Sequence, residues 1–243
     1  MKTVKNENTV PAAVRIQMTP DEFLKKASMV SCGNLRNSED NFQNLEIDGL
    51  TVENKNLVRT EFHYVKLTNA AFTGVNLEGA DFEFAELDNV VFTRCLFKRG
   101  AFNFAKLSNV RFQDCLLDHS SFSFATGVAA FEHCSMTGVE FHRTGLEIVM
   151  NTCDGQGAEF NSCADLNIQA ENCDFIRAEF NDGTFSGAMK QCVFANAEFY
   201  GSDCRSLSFS RCRLRDISDN GSCGIDIGSS DDDDDDNDNF PFA

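Results

Sequence analysis

Cysteine, histidine and carboxylate side chains are the groups in this sequence that could do chemistry. The chain has 11 cysteines, 4 histidines and 38 acidic residues against 21 basic ones, so its formal net charge is −17. Cysteine and histidine could bind a metal or act as a nucleophile and a base, and paired carboxylates could transfer protons. Which of these roles is open to them depends on their spacing and on the fold.

The spacing does not favour catalysis or metal binding. The cysteines include no C-x₂-C pair, and the sequence lacks G-x-S-x-G, a phosphate-binding glycine loop and H-E-x-x-H. The histidines have no fixed aspartate or serine partner and are expected on the surface; they are His63, His119, His133 and His142. We therefore predict no enzyme, no metal site and no cofactor.

The strong acidity limits the class of partner. A net charge of −17 with a pI near 4.5 repels nucleic acids and anionic membranes, so a basic protein fits better. No apolar run approaches the roughly 20 residues that span a bilayer, and the first residues lack the apolar stretch of a secretory signal. These observations predict a cytoplasmic protein with reduced thiols.

Large apolar residues recur at every fifth position over much of the chain. The run is Phe42, Ile47, Val52, Leu57, Phe62, Leu67, Phe72, Leu77, Phe82, Leu87, Phe92, Phe97, Phe102, Leu107, Phe112, Leu117 and Phe122. Neither the helical period of 3.6 nor the strand period of 2 explains this spacing. After Phe122 the register slips by single residues, which we interpret as adjustments at coil corners. Residues 147–157 are the least regular, and there we expect a distorted coil or a small bulge.

The repeats resemble those of the pentapeptide-repeat family, which is commonly written A(D/N)LXX. The segments that carry the resemblance include ADFEF at residues 80–84, AELDN at 85–89 and AEFYG at 197–201. The resemblance covers residues 42 to 214 and implies an all-β fold, a right-handed quadrilateral parallel β-helix with about twenty residues per coil. We predict three parts: an N-terminal cap with a short helix at 1–41, the β-helix at 42–217, and a Gly/Ser linker with a disordered acidic tail at 218–243.

The N-terminal cap carries the signals of a helix start. Thr19 could cap the helix, Pro20 suits its first position, and Asp21 and Glu22 suit its first turn. We expect this helix to cover the open edge of the first coil, because solenoid ends need protection. A helix that binds a partner is the alternative.

Stacking the coils predicts aligned columns of side chains. One column is a buried phenylalanine ladder of Phe62, Phe82, Phe102, Phe122, Phe141, Phe160, Phe180 and Phe199. The preceding residues form an outward column of Glu61, Asp81, Ala101, Ser121, Glu140, Glu159, Glu179 and Glu198. This column is either an ordinary charged, solvated face or a row of carboxylates that imitates DNA phosphates.

Most cysteines fall at the small inward position of the repeat. Cys95, Cys115, Cys134, Cys153, Cys163, Cys173, Cys192 and Cys212 do so, and Cys204 falls at a central position. We therefore predict core residues that act as small hydrophobes. Cys32 and Cys223 lie outside the repeat.

The C-terminal residues are a second candidate for partner binding. They comprise Asp231, Asp232, Asp233, Asp234, Asp235 and Asp236, followed by Phe240, Pro241 and Phe242. An acidic stretch that ends in Pro-Phe resembles the tip of bacterial single-stranded-DNA-binding proteins, which recruits repair and replication enzymes. That family ends on the phenylalanine carboxylate, whereas this chain adds Ala243. The alternative is a solubilising tail.

Two functions follow as hypotheses. The first is a DNA mimic that occupies the basic DNA-binding surface of a bacterial enzyme, a role that the resemblance to gyrase-protecting pentapeptide-repeat proteins implies. The second is an interaction scaffold, such as a bacterial effector or a phage anti-defence protein, that recognises its partner by shape, with the tail as a separate docking motif. The resemblance also implies a homodimer as one oligomeric state.

Overall fold

The computed structural model describes residues 15–30 and 42–225. The described chain contains one helix, α1 (Pro20–Val30), and a series of short strands. The strands are β1 (Ile16–Gln17), β2 (Leu45–Asp48), β3 (Thr51–Glu53), β4 (Lys66–Thr73), β5 (Glu86–Thr93), β6 (Lys106–Gln113), β7 (Thr126–Glu132), β8 (Gly145–Asn151), β9 (Leu166–Glu171), β10 (Thr184–Lys190) and β11 (Asp203–Ser210). All pairings are parallel, and from β4 onward each strand pairs with its neighbours in the chain.

This arrangement is the quadrilateral parallel β-helix that the repeat predicts. The strands β4, β5 and β6 each turn a corner at an asparagine in the left-handed conformation, and isolated bridges such as Asn56↔Asn76 and Glu61↔Asp81 align the other sides. Asparagine tolerates that backbone conformation better than most residues. At one corner Asn69, Asn89 and Asn109 stack, and each side-chain amide donates to the one before it at 2.7 and 3.1 Å.

The phenylalanine ladder is confirmed as the centre of the core. Phe82 and Phe102 stack with ring centroids 5.1 Å apart, Phe102 and Phe122 at 4.7 Å, and all three rings are fully buried. A second column meets the ladder edge to face, with Phe112 at 5.6 Å from Phe102. Offset-stacked and edge-to-face contacts are the favoured aromatic geometries, so each coil stabilises the next.

Helix α1 covers the first coil, as predicted. Thr19 and Glu22 form a capping box, in which the backbone amide of Glu22 donates to the Thr19 hydroxyl at 3.3 Å and the Glu22 carboxylate accepts from the Thr19 amide at 2.9 Å. Phe23 packs on Phe42 with ring centroids 4.5 Å apart, and Lys26 lies over the same Phe42 ring at 4.7 Å. The helix therefore extends the phenylalanine ladder by one layer.

Single-residue slips in the repeat are absorbed without breaking the stack. The pairing of β6 with β7 shifts between Leu107 and Val110, opposite Gly127, whose φ is +108°. A Cβ atom at Gly127 would lie 1.9 Å from the carbonyl oxygen of Leu107, so the tightened corner requires glycine. The expectation of a distorted coil at 147–157 is wrong, because β8 pairs in regular register with β7 and its inward residues simply alternate.

The repeat cysteines form a buried column in the core, as predicted. Seven of them, Cys95, Cys115, Cys134, Cys153, Cys173, Cys192 and Cys212, follow one another at successive coils, and their thiols donate to backbone carbonyls at 3.2 to 3.6 Å. Cys163 lies on another side, where burial raises its pKa to about 11. Cys212 is half-buried and Cys223 is exposed, while Cys32 lies outside the described residues.

Candidate protein-binding surface

The structure aligns the predicted acidic column. A continuous series of bridges joins Glu61, Asp81, Ala101, Ser121, Glu140, Glu159, Glu179 and Glu198, one residue per coil. Ala101 and Ser121 interrupt the carboxylates and divide them into a short N-terminal pair and a C-terminal run of four. The run from Glu140 to Glu198 is therefore the longest unbroken row of negative charge in this column.

Polar side chains of the preceding coil hold several of these carboxylates in place. Glu61 accepts a hydrogen bond from Gln43 Nε2 at 2.7 Å, and Glu179 accepts one from Asn161 Nδ2 at 2.7 Å. Glu140 and Glu198 are exposed and have no side-chain hydrogen bond or ion pair with any described residue. The row thus combines fixed carboxylates with ones that are free to meet a partner.

The histidines are less isolated than their spacing indicated. His142 Nε2 lies 2.7 Å from a Glu159 carboxylate oxygen, His63 is in contact with Asp81, and His133 lies 3.7 Å from Asp114. The expectation that they lack a fixed acidic partner is therefore wrong. The missed signal is the coil length, because each acidic partner lies 17 to 19 residues from its histidine along the chain. His119 keeps the predicted surface position.

One group of side chains in the described ranges could hold a metal ion. Ligand atoms of His63, Asp81 and Glu83 all lie within 4.8 Å of one another at half-buried positions. The backbone amide of Glu83 donates to Asp81 Oδ1 at 2.9 Å, and Asn103 Nδ2 donates to Glu83 Oε1 at 3.0 Å. These hydrogen bonds hold the two carboxylates in place, and the His63 imidazole contacts Asp81.

An exposed aromatic column lies beside the acidic column, and sequence analysis missed it. Tyr64, Phe84, Phe104 and Phe124 stack with centroid distances of 5.0, 4.9 and 4.7 Å and nearly parallel rings. Phe84, Phe104 and Phe124 are 39%, 44% and 40% exposed. The Arg143 guanidinium extends the column, 5.9 Å from the Phe124 ring.

The sequence signal for this column is an aromatic residue two positions after the central phenylalanine. It occurs as FHY at residues 62–64, FEF at 82–84, FNF at 102–104 and FSF at 122–124. Each second aromatic residue has a φ between 57° and 60°, so it occupies the left-handed corner position and points its ring outward. The five-residue period accounts only for the central phenylalanine, which is why the outer ring was not predicted.

The two columns form one bipartite surface. Tyr64 follows Glu61 by three residues, so the aromatic and acidic columns lie on the same side of each coil. The aromatic rings occupy the coils of Tyr64 to Phe124, and the acidic run continues from Glu140 onward. A partner lying along this side would meet an aromatic half followed by a negatively charged half.

The other predicted binding residues lie beyond the described chain. Asp231, Asp232, Asp233, Asp234, Asp235, Asp236, Phe240, Pro241 and Phe242 all fall after residue 225. Among the residues that the structure does describe, no helix is long and apolar enough to cross a membrane.

The fold defines the chain as a parallel β-solenoid that displays aligned columns of surface side chains. Residues 51–122 match the family model of the pentapeptide repeat region. The chain carries pentapeptide repeats, as its sequence predicts, and the repeat geometry continues in the structure well beyond the matched segment.

The comparison with solved structures found matches at low sequence identity. A trypsin-treated variant of QnrB1, a plasmid-mediated fluoroquinolone resistance protein, is 16% identical with a TM-score of 0.42, covering 72% of this chain and 89% of that one. HetL, which is involved in heterocyst differentiation regulation in Nostoc sp. strain PCC 7120, is 14% identical with a TM-score of 0.33, covering 87% and 99%. A search of curated proteins found no match.

Proposed function

We propose that this protein is a non-enzymatic, cytoplasmic binding protein that mimics DNA. In this proposal it occupies the basic DNA-binding surface of a bacterial DNA-processing enzyme, such as a topoisomerase, a nuclease or a defence protein, and modulates or inhibits it. The observation that carries the proposal is the run of Glu140, Glu159, Glu179 and Glu198, aligned by backbone bridges at one carboxylate per coil.

The geometry of the run suits a surface that imitates phosphates. Adjacent coils of a parallel sheet are about 4.8 Å apart, and each strand of duplex DNA carries a phosphate for about every 3.4 Å of helix axis. Lysine and arginine side chains of a partner are long enough to accommodate that difference. The solenoid backbone fixes the spacing of the row in advance, and contacts from Asn161 and His142 also hold the Glu179 and Glu159 side chains, so binding would lose less conformational entropy at those two carboxylates.

The test replaces the four carboxylates without changing their shape. The column variant carries Glu140→Gln, Glu159→Gln, Glu179→Gln and Glu198→Gln. The matched control removes the same charge from exposed acids outside the column, with Glu53→Gln, Asp88→Asn, Glu147→Gln and Glu171→Gln. Both variants and the parent chain would be used as bait in bacterial lysate, and the captured proteins identified by mass spectrometry.

The proposal predicts that the parent and the control capture a DNA-processing enzyme and that the column variant does not. Binding of the purified enzyme should also weaken steeply with added salt, because the contact is electrostatic. Duplex DNA should compete with the protein for the enzyme. Capture of the same enzyme by the column variant would overturn the proposal.

The aromatic column favours a second candidate, a scaffold that recognises its partner by shape. Exposed aromatic residues are enriched in the energetic centres of protein interfaces, and Phe84, Phe104 and Phe124 form a contiguous apolar strip. Replacing these three by Ser should then abolish partner capture, whereas binding by the parent chain should persist at high salt. A binding constant that is insensitive to the three Ser substitutions would exclude this candidate.

A further inference from the structure

The two ends of the solenoid are protected unequally. At the N-terminal end α1 covers the first coil, and its own Phe23 and Ala27 are buried against that coil. At the other end Phe209, Leu214 and Ile217 pack against the core but stay half-buried. Beyond β11, the described chain pairs with the coil beneath it through isolated bridges, the last of which joins Asp203 and Cys223.

This open end is apolar and carries an exposed strand edge. Solenoids require a terminal element that covers the last coil, because an open parallel edge pairs with other chains. The described residues supply such an element at one end and leave the last coil without an equivalent of α1. Some other segment is therefore needed there.

The last coil is also basic, in contrast to the rest of the molecule. Arg211, Arg213 and Arg215 alternate in the segment RCRLR, and all three are exposed. Arg215 Nε lies 3.4 Å from the neighbouring Asp216 in an ion pair that is largely open to solvent. An exposed ion pair of that kind contributes little to stability, so the positive charge of Arg215 stays accessible beside the apolar end.

The segment after residue 225 has the complementary composition. Residues 226–243 contain a run of six aspartates, Asp231 to Asp236, and then Phe240, Pro241 and Phe242. At up to about 3.3 Å per residue, the six residue steps from 225 to 231 span about 20 Å. The aspartates can therefore reach the arginines of the same chain, and the two phenylalanines can reach the half-buried core.

We propose that residues 226–243 fold back and cap the open end of their own solenoid. Asp231 to Asp236 lie against Arg211, Arg213 and Arg215, and Phe240 and Phe242 cover Phe209 and Leu214. Because the segment is tethered to the last coil, its effective concentration there is high. A modest attraction between the aspartates and the arginines is therefore enough to hold it in place. The tail is then a built-in cap, whether or not the acidic column mimics DNA.

Zero-length cross-linking of the full chain tests this contact. A variant with Arg211→Lys, Arg213→Lys and Arg215→Lys keeps the charge and supplies amines that a carbodiimide can couple to aspartates within direct contact. The matched control places the same change in the middle of the rod, with Arg94→Lys, Arg99→Lys and Arg111→Lys. An equal mixture of ¹⁴N-labelled and ¹⁵N-labelled protein distinguishes links within one chain from links between two.

The proposal predicts links from residues 211, 213 and 215 to Asp231–Asp236 within single chains. Their yield should be at least about tenfold above that of the control variant and should fall in high salt, because exposed charges are screened. Links mainly between chains would overturn the proposal and assign the open end to a second copy. A yield no higher than that of the control would overturn it as well.

Hydrogen exchange gives an independent check without lysine substitutions. Replacing Asp231 to Asp236 by Asn keeps the length of the tail and removes its attraction to the arginines. Exchange at β11 should then accelerate by at least about fivefold, while exchange at β5 in the middle of the rod stays unchanged. Equal exchange at β11 in both proteins would contradict the cap.

Discussion

Phe102 and Phe104 offer a direct test of how the two aromatic columns differ. Phe102 is fully buried between Phe82 and Phe122, whereas Phe104 is 44% exposed between Phe84 and Phe124. The two residues have the same type, lie two positions apart and stack in the same way. Replacing each by Ala therefore separates the contribution of burial from that of stacking.

The magnitudes follow from the burial of each ring. Phe102→Ala removes a buried ring from a close-packed core, which costs about 3 to 5 kcal/mol in the free energy of unfolding. A fully buried phenylalanine side chain contributes about 1.5 to 3 kcal/mol by area, and roughly half of the Phe104 ring stays in solvent. We therefore expect about 1 kcal/mol for Phe104→Ala, with the backbone strain at its left-handed corner unchanged.

Urea unfolding followed by far-ultraviolet circular dichroism measures both free energies, with the slope of each transition as a check on cooperativity. Thermal unfolding of the same variants should rank them in the same order. The reasoning fails if Phe104→Ala destabilises the protein as much as Phe102→Ala, because the outer column would then be part of the core. It also fails if Phe102→Ala costs less than about 1.5 kcal/mol.

Three further predictions concern the corner glycines, the thiols and the cap. Gly127→Ala should be strongly destabilising in urea unfolding, because its Cβ would lie 1.9 Å from the Leu107 carbonyl oxygen. The matched control Gly157→Ala has open space around its Cβ and a φ of +63°, so it should cost only about 1 to 2 kcal/mol of backbone strain. Native-state alkylation followed by mass spectrometry should modify exposed Cys223 at least about 100-fold faster than buried Cys163, whose pKa burial raises to about 11. Hydrogen bonds from Arg15 and Lys106 lower the pKa of Glu86. The ionised Glu86 carboxylate stabilises β1 through its contact with Arg15, so this stabilisation is complete above the ordinary glutamate pKa of about 4.3 and is lost as the pH falls through the lowered pKa. Protection of the Ile16 amide, which donates to the Asn44 carbonyl at 2.7 Å, should fall over that range in the parent chain and be weak at every pH in Glu86→Gln.

The fold could be predicted because the inward positions obey one rule. The five-residue period resembles that of pentapeptide-repeat proteins, and this resemblance implies coils of about twenty residues, on which Phe82, Phe102 and Phe122 align. The outward column could be predicted in the same way, because the residue before each central phenylalanine must align whenever the phenylalanines do. Helix α1 was predictable from the local signals at residues 19–22.

The contacts between outward residues could not be predicted in the same way. The five-residue period treats Phe104 and His142 as equivalent surface positions, although the first stacks on a ring in the neighbouring coil and the second meets Glu159. Such contacts depend on which residues lie next to one another across coils of nineteen or twenty residues. The regular strand β8 was misjudged for a related reason, because Leu146, Ile148 and Met150 alternate inward on a shortened coil.

The N-terminal position of the helical cap has a consequence for synthesis of the protein. Every strand from β4 onward pairs with a segment about twenty residues earlier, so contacts are short in sequence even though the protein is nearly all β. Short contact separation favours fast folding, and domains fold from the N-terminus as they leave the ribosome. Since α1 and the first coil emerge first, each later coil can pair with a coil that is already folded. The growing edge is then the main aggregation-prone surface at any moment, and it is always the newest coil.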